Sequence, residues 1–373
     1  MKILISVHAI WWNASAHYAI TTAEALQRRG HDVTVIAHKS TPAYGEAVKQ
    51  ELSCIGSLNL LIWQPLTAFQ NQRALRKLLQ EERFDVLNPH RPEDHFHLGW
   101  AHWMTKCQSI LIRSVSDVRI PRTNVFNRHL FQKQTHGVIY CAECCRQRYQ
   151  SALEISPIPS RIVYSALDVE AFTRGDWKTD NSYFQHSRPR IGIVARLSPN
   201  KGHKTLIDAA AMICAQLPQA TFFVVGQEEE VTIAGLRDYA RNQNVENSFV
   251  FTGRLDDPRP VIAACDIGVI TSTDSEVISR AAQEFFAFGI PVIASTINVL
   301  PEMIQPDYNG FLIPAGDSYQ LAQRILELAN SETLRLRLGE GASASAVLKY
   351  SLDVMGRDTE EFFLQVIQEK RLT

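Results

Sequence analysis

RIGIVARLSPNKGHKTLIDA, residues Arg190 to Ala209, reads as strand, polar turn and helix start. RIGIVARL is a near-continuous apolar run, the pattern of a strand covered on both faces in a parallel sheet. SPNKG breaks it, and an amphipathic helix begins at about Lys201. Downstream, ATFFVVG, NSFVFTG, CDIGVIT, PVIAS and GFLIP repeat the strand pattern, with helical segments between most of them. Upstream lies TRGDWKTDNSYFQHSRPR, residues 173–190, polar and rich in turn formers. Before that stretch KILISV, DVTVIA, FDVLN, SILIRS and HGVIYC also alternate with helices. The expected fold is therefore α/β, with two Rossmann-like doubly wound parallel-sheet domains facing across a cleft. Expected boundaries are 1–172, a linker at 173–190, a second domain at 191–350, and a last helix at 351–373 crossing back to the first.

Bulk properties narrow the function. A chain of 373 residues that is 45% hydrophobic can build two ordinary cores. Lys plus Arg number 38 against 39 acids, so no overall field draws it to nucleic acid. Residues 1–170 hold 19 basic and 14 acidic side chains and the remainder 19 and 25, which points the first half at anionic partners. Seven cysteines, an odd number widely spaced, fit reduced thiols in a cytoplasm. CAECC contains one C-x-x-C without a second ligand pair, and it is read as straddling a strand and the next helix. Lys2, an apolar run and Ala14-Ser15-Ala16 imitate a secretory signal, but cleavage there would delete the first core strand. No apolar run reaches the ~18 residues needed to span a bilayer, so any membrane contact is expected to be peripheral.

Chemistry concentrates in the second half. Arg196 and Lys201 flank the start of a helix, where unpaired N–H groups and the helix dipole favour a phosphate or diphosphate. DSEVISRAAQEFFAFGIPVIAS, Asp274 to Ser295, carries Glu276 and Glu284. Eight steps of ~100° leave the two carboxylates about 80° apart around a helix. They are therefore read as separated in depth, with Glu276 in the loop at the helix mouth and Glu284 two turns inside. A carboxylate can accept from two vicinal hydroxyls, as on a ribose.

ARLSPNKGHKTLIDA, TFFVVGQEEE, VENSFVFTGRLDD, ACDIGVITSTDSE with its E-x7-E pair, and FGIPVIASTINVLPEMIQPDYNGFLIPAGD resemble, in order, the donor domain of retaining glycosyltransferases of the GT-B fold, group 1 or family 4. The resemblance is close over residues 189–330 and looser elsewhere. It implies that Arg196 and Lys201 hold the diphosphate of a nucleotide-sugar donor, Glu284 its ribose, and Glu276 a hydroxyl of the transferred sugar. Backbone amides near Val277, Ile278 and Ser279 would lie against sugar or phosphate, with Gly226 on the donor side and Arg254 near the base. Departure of a nucleoside diphosphate builds negative charge on its oxygens, and fixed cations and amides answer it. With no D-x-D, transfer is expected to need no metal or other cofactor, the nucleotide sugar being a co-substrate.

The first domain departs from the family. WWNASAH stands where a Gly-rich turn is usual, which restricts the backbone. Trp11 and Trp12 are expected to pack in the core, the alternative being stacking on a sugar. Asn13 and Ser15 remain acceptor-side candidates. SILIRSVSDVRIPR places Ser116 and Asp117 where the family often has a histidine. Asp117 is a candidate base, although the leaving diphosphate can itself accept the acceptor proton. NPHRPEDHFHLGWAHW offers His90 for acceptor hydrogen bonding, with His95 and His102 expected on a plain helix face and a metal site disfavoured. Five basic residues and one acid between Arg113 and Lys133 read as a solvated face, or as contact with anionic lipid or a phosphorylated acceptor.

The function expected is sugar transfer from a nucleotide donor to a glycan or lipid-linked acceptor, in polysaccharide or lipopolysaccharide synthesis, in the cytoplasm or on the inner membrane face. A nucleotide-sugar epimerase or a non-catalytic nucleotide-sugar binder are the alternatives. A glycosidase would leave Arg196 and Lys201 without a phosphate, and a dehydrogenase would need a G-x-G-x-x-G after the first strand.

Overall fold

The computed structural model describes residues 1–61, 64–117, 119–153, 158–175 and 182–372. Two compact units emerge, Met1–Ala166 with Leu352–Thr373, and Leu167–Ser351. The first holds seven strands: β1 (Lys2–Ser6), β2 (Asp32–Ile36), β3 (Ser53–Ile55), β4 (Val86–Pro89), β5 (Ile110–Val115), β6 (Gly137–Tyr140) and β7 (Ser160–Ile162). The second holds six: β8 (Arg190–Val194), β9 (Thr221–Val225), β10 (Phe249–Gly253), β11 (Ile267–Ile270), β12 (Val292–Ser295) and β13 (Gly310–Ile313).

Both sheets are doubly wound. Their orders are β3-β2-β1-β4-β5-β6-β7 and β10-β9-β8-β11-β12-β13, with the pairs parallel, as in β1 with β4 and β8 with β11. Each order reverses direction once, between β1 and β4 and between β8 and β11. A crevice opens there at the strand carboxyl ends. The edge strands β3 and β7 were not anticipated. Each has only three residues, and those are mostly half-buried, so neither shows an apolar run.

In the first unit Leu4, Leu87 and Leu111 of the sheet pack against Leu60, Leu75 and Leu98. The Leu352–Leu372 helix also belongs to this unit. It lies against the Ala14–Arg28 helix so closely that a Cβ on Gly356 would stand 2.8 Å from the Ala25 carbonyl oxygen. Arg29 Nε donates to Glu360 Oε2 at 2.7 Å at the same junction.

In the second unit two strand glycines seat the helix Arg280–Ala287. The Phe285 ring fills the space above Gly192 and Gly268, and a Cβ on Gly268 would stand 2.6 Å from it. Any larger residue would lift the helix off the sheet. Of the polar stretch expected as a linker, residues 176–181 lie outside the described residues. Tyr183 and His186 meet the Phe223 ring edge-on at 5.8 and 5.3 Å.

Cys141 follows β6, and Cys144 and Cys145 lie in the helix Glu143–Leu153. No disulfide joins the described cysteines. Among the described residues no helix is long and apolar enough to cross a membrane.

Candidate active site

The crevice of the second sheet is a cavity of about 150 Å³ lined by Val194, Ala195, Lys201, Thr271, Glu276 and Arg280, among others. The sequence builds it from two turns. After β8 the chain makes a 3-10 turn, Pro199–Lys201, and enters the His203–Cys214 helix through Gly202 at φ +69°. A Cβ on Gly202 would stand 2.0 Å from the Thr271 carbonyl oxygen, so only glycine lets this turn reach the end of β11. The Thr271 hydroxyl, 2.9 Å from the Lys201 carbonyl and 3.0 Å from that of Gly202, locks the junction.

Lys201 Nζ donates to Glu276 Oε2 at 2.5 Å, and the Ser272 hydroxyl donates to the same oxygen at 2.8 Å. The side chains are 16% and 9% exposed, so the pair is largely withdrawn from solvent yet borders the cavity. On the backbone, the Glu276 carbonyl accepts from Val299 N at 3.1 Å, which fixes the loop ahead of the Arg280–Ala287 helix.

Glu284 sits inside that helix, buried, and Arg280 Nε donates to its Oε1 at 2.8 Å. Burial pushes the Glu284 carboxyl above its ordinary range, and the Arg280 charge and hydrogen bond only partly offset this. Behind Lys201, the buried His203 has neither ring nitrogen hydrogen-bonded among the described residues. Burial, with the Lys201 charge second, pushes it down to about 4, so it is neutral at working pH. Gly226, just after β9, packs on the chain leaving β8, where a Cβ would stand 1.8 Å from the Ala195 carbonyl oxygen.

Thus Lys201, Glu276 and Ile278 meet at the cavity, and Glu284 adjoins it through Arg280. Arg196 does not join them. Its Nη1 lies 2.6 Å from both Glu229 oxygens, with the side chain 62% exposed. Arg254 is exposed, Val277 is buried, and the buried Ser279 hydroxyl has no hydrogen bond among the described residues. Ser272, Arg280, Glu229 and His203 were missed by sequence reasoning. Only Arg280 had a readable signal, its i,i+4 spacing to Glu284.

In the first unit Asn13 Oδ1 accepts from Ala16 N at 3.0 Å and caps the Ala14–Arg28 helix. The Ser15 hydroxyl donates to the Ser116 carbonyl at 2.9 Å, and the buried Ser116 hydroxyl is unpaired among the described residues. Burial raises the Asp117 carboxyl, but hydrogen bonds from Arg119 outweigh it and leave it below its usual range. That is a weak base. His90 is buried, bonded through Nε2 to Asn88 Oδ1 at 2.9 Å, and burial holds it far below its ordinary value.

Several expectations are corrected here. Trp11 and Trp12 are 75% and 40% exposed and not in the core, because their loop runs outward past the end of β1. Arg113 is not part of a solvated face: it is fully buried, donating to the Pro89 and Ser114 carbonyls at 2.9 and 2.7 Å. His95 lies on the helix Pro92–Thr105, as expected, on a buried part of its face with Nε2 2.9 Å from the Thr135 hydroxyl. Asp94 pairs with a residue that sequence reasoning did not single out, His8, whose Nδ1 lies 2.7 Å from Asp94 Oδ1 and whose Nε2 lies 3.0 Å from the Leu58 carbonyl. Both partners are acceptors, so both ring nitrogens carry protons. Burial alone would lower the His8 value, but the Asp94 charge and hydrogen bond raise it. No cluster of three or more His, Cys, Asp or Glu able to hold a metal exists among the described residues.

Two Rossmann-like units, the second with a lysine and two glutamates at its switch point, define the GT-B class of glycosyltransferase. A crystal structure of a glycosyltransferase from Rickettsia africae ESF-5 matches this fold with a TM-score of 0.84 at 17% identity, covering 98% of each chain. The family description "Glycosyltransferase Family 4" matches residues 15–171, and "Glycosyl transferases group 1" matches residues 178–345. This chain belongs to the group 1 glycosyltransferases. It is 24% identical over 361 residues to a phosphatidyl-myo-inositol mannosyltransferase of Mycobacterium leprae (strain TN), covering 91% of this chain and 89% of that one. A GDP-mannose-dependent monoacylated alpha-(1-6)-phosphatidylinositol monomannoside mannosyltransferase of Corynebacterium glutamicum is 28% identical over 231 residues. That match spans 58% of this chain and 59% of the relative's length.

Proposed function

We propose that this glycosyltransferase moves a sugar from a nucleoside diphosphate to a glycan or lipid-linked acceptor, with retention of configuration and without a metal, in the synthesis of a cell-surface polysaccharide, lipopolysaccharide or glycolipid. The observation that carries this reading is the meeting of Lys201 and Glu276 in the β8–β11 crevice with Glu284 deeper in the same helix segment. Lys201 would hold the diphosphate, joined by Arg196 once it leaves Glu229. Glu276, released from Lys201 by the incoming phosphates, would take a hydroxyl of the transferred sugar. Glu284 would accept from the ribose, Arg254 would border the base, and the amides of Val277, Ile278 and Ser279 with Gly226 would line the donor.

As the anomeric bond lengthens, positive charge grows on the sugar and negative charge on the diphosphate. A cation fixed beside the leaving oxygens stabilises that state more than the ground state. Asp117, held low by Arg119, is poorly suited to remove the acceptor proton. The departing diphosphate would take it instead, on the face the acceptor enters, which is a route to retention. Asn13, Ser15, His90 and Ser116 form the acceptor-side set, His90 and Ser116 by shaping the wall from within. A GDP-mannose donor and a phosphatidylinositol-mannoside acceptor, named for the Corynebacterium glutamicum relative, support this donor and acceptor chemistry. Peripheral contact with an anionic membrane, on the inner face, follows from a lipid-linked acceptor.

The test is calorimetry with GDP, UDP and their sugars, followed by NMR of the transferred anomer with metal chelated. Binding of one nucleoside diphosphate and a product of unchanged anomeric configuration are expected. No nucleotide binding, or an inverted product, would overturn the reading.

A further inference from the structure

Two loops at the carboxyl edge of the first sheet leave large apolar side chains in solvent. Ile10, Trp11 and Trp12 follow β1, while Ile120, Val125 and Phe126 follow β5, the last two 80% exposed. The Ser15–Ser116 hydrogen bond ties the roots of the two loops together. Surfaces of single soluble chains seldom gather this much apolar side chain in one place.

The second loop is built as a firm tip. Asn124 Oδ1 accepts from Asn127 N at 2.9 Å, Asn127 Nδ2 donates to the Arg122 carbonyl at 2.6 Å, and Arg128 Nε donates to the Thr123 carbonyl at 3.2 Å. Arg128 N donates to the Asn124 carbonyl at 3.0 Å. The Asn127 and Arg128 amides and the carbonyls of Arg122, Thr123 and Asn124, which flank Val125 and Phe126, are thereby paired within the loop, and this lowers the cost of bringing the tip into a medium poor in hydrogen-bond partners. Arg119, Arg122 and Arg128 alternate with the apolar residues. The segment's acid, Asp117, is already engaged by Arg119. An apolar tip ringed by arginines complements an anionic interface, and exposed tryptophans belong at such a boundary.

We infer that the tip Ile120–Phe126, with Ile10–Trp12 beside it, is the surface by which this chain rests on an anionic lipid bilayer. This rests on the membrane contact proposed above and names the part of the chain that makes it. It also puts the apolar contact at the strand ends that carry the acceptor-side residues.

The full chain is floated with vesicles of phosphatidylcholine, with and without phosphatidylglycerol. Wild type should float with the anionic vesicles. Val125→Ser/Phe126→Ser should partition at least about tenfold more weakly, and Arg122→Glu about fivefold to tenfold more weakly, each with nucleotide binding intact. Brominated lipid should quench wild-type tryptophan fluorescence. That quenching should be lost in Trp11→Phe/Trp12→Phe and kept in Trp100→Phe/Trp103→Phe, which alters a separate pair of exposed tryptophans. Should wild type float while Val125→Ser/Phe126→Ser floats equally, or should quenching follow Trp100 and Trp103, this surface is wrong although membrane contact stands. If wild type floats with neither vesicle, the membrane reading falls and the surface with it.

Discussion

Replacing Lys201 by methionine keeps most of the aliphatic stem and removes the charge. Two effects follow, and they separate. Without donor, the Glu276 carboxylate loses its cation but keeps the Ser272 hydroxyl at 2.8 Å. A fully buried pair broken this way costs about 3–5 kcal/mol. Here Lys201 is 16% exposed and the pair borders a cavity, so water reaches it and about 1–3 kcal/mol is the appropriate range. In the proposed transfer the lost cation would face the departing diphosphate. Removal of one such preorganised group costs about 2.7–4 kcal/mol, or ~10²–10³ in kcat. The assay is initial-rate kinetics at saturating acceptor with donor varied, beside thermal unfolding and nucleotide calorimetry. A fall in kcat of that size, with a smaller change in nucleotide affinity, is expected. Adding Glu276→Gln should recover part of the stability and none of the rate. Turnover within about threefold of wild type in Lys201→Met would refute the assignment of Lys201 to the leaving group, because no other lysine lines this cavity among the described residues.

Glu284→Gln should stabilise the donor-free protein while weakening nucleotide binding. The folded Glu284 carboxyl lies above its unfolded value, so its favourable contribution is full in acid and is lost as pH rises through the raised value. A gain in Tm near neutrality that vanishes at acid pH is expected; equal Tm gaps at both would count against it. Gly268→Ala should cost about 1–3 kcal/mol and lower Tm by several degrees, since the new Cβ stands 2.6 Å from the Phe285 ring, and a neutral outcome would mean the helix tolerates being lifted. Glu229→Gln releases Arg196 from an exposed pair worth at most about 1 kcal/mol, so donor KM should fall by up to about fivefold with kcat unchanged. An unchanged or higher KM would show that Glu229 does not compete with the diphosphate.

Much of the architecture was legible because the strands that build the two crevices are continuous apolar runs. β8, β9, β11 and β12 are each buried along nearly their whole length, and burial on both faces leaves no ambiguity of period. β3 and β7 escaped because a three-residue edge strand has one neighbour and little to bury. In the site, the depth ordering of Glu276 and Glu284 followed from helix geometry alone. The state of Arg196 did not, since Glu229 is 33 residues away and approaches only after β9 is laid beside β8. Trp11 and Trp12 were misjudged for a related reason. Hydrophobicity says what a side chain prefers, while the direction in which a loop leaves a strand end decides what it receives. Arg113 is the converse, a cation drawn inside because two backbone carbonyls, those of Pro89 and Ser114, stand ready to accept from it.

The same economy governs the crevice. Three cations assigned to it or lining it already hold an acid: Lys201 holds Glu276, Arg196 holds Glu229, and Arg280 holds Glu284. Bare charges on the enclosed members, Lys201, Glu276 and Glu284, would carry a desolvation cost in a donor-free site. Pairing offsets part of that cost, and it also sets what a ligand must bring. A neutral sugar offers nothing to replace a carboxylate on Lys201, whereas a diphosphate does, and in the proposed function its arrival would free Glu276 to meet the sugar hydroxyls. Donor recognition would thus be an exchange of one anion for another. The carboxylate released would be the one proposed to face the carbohydrate, which would couple phosphate recognition and sugar recognition through a single ion pair.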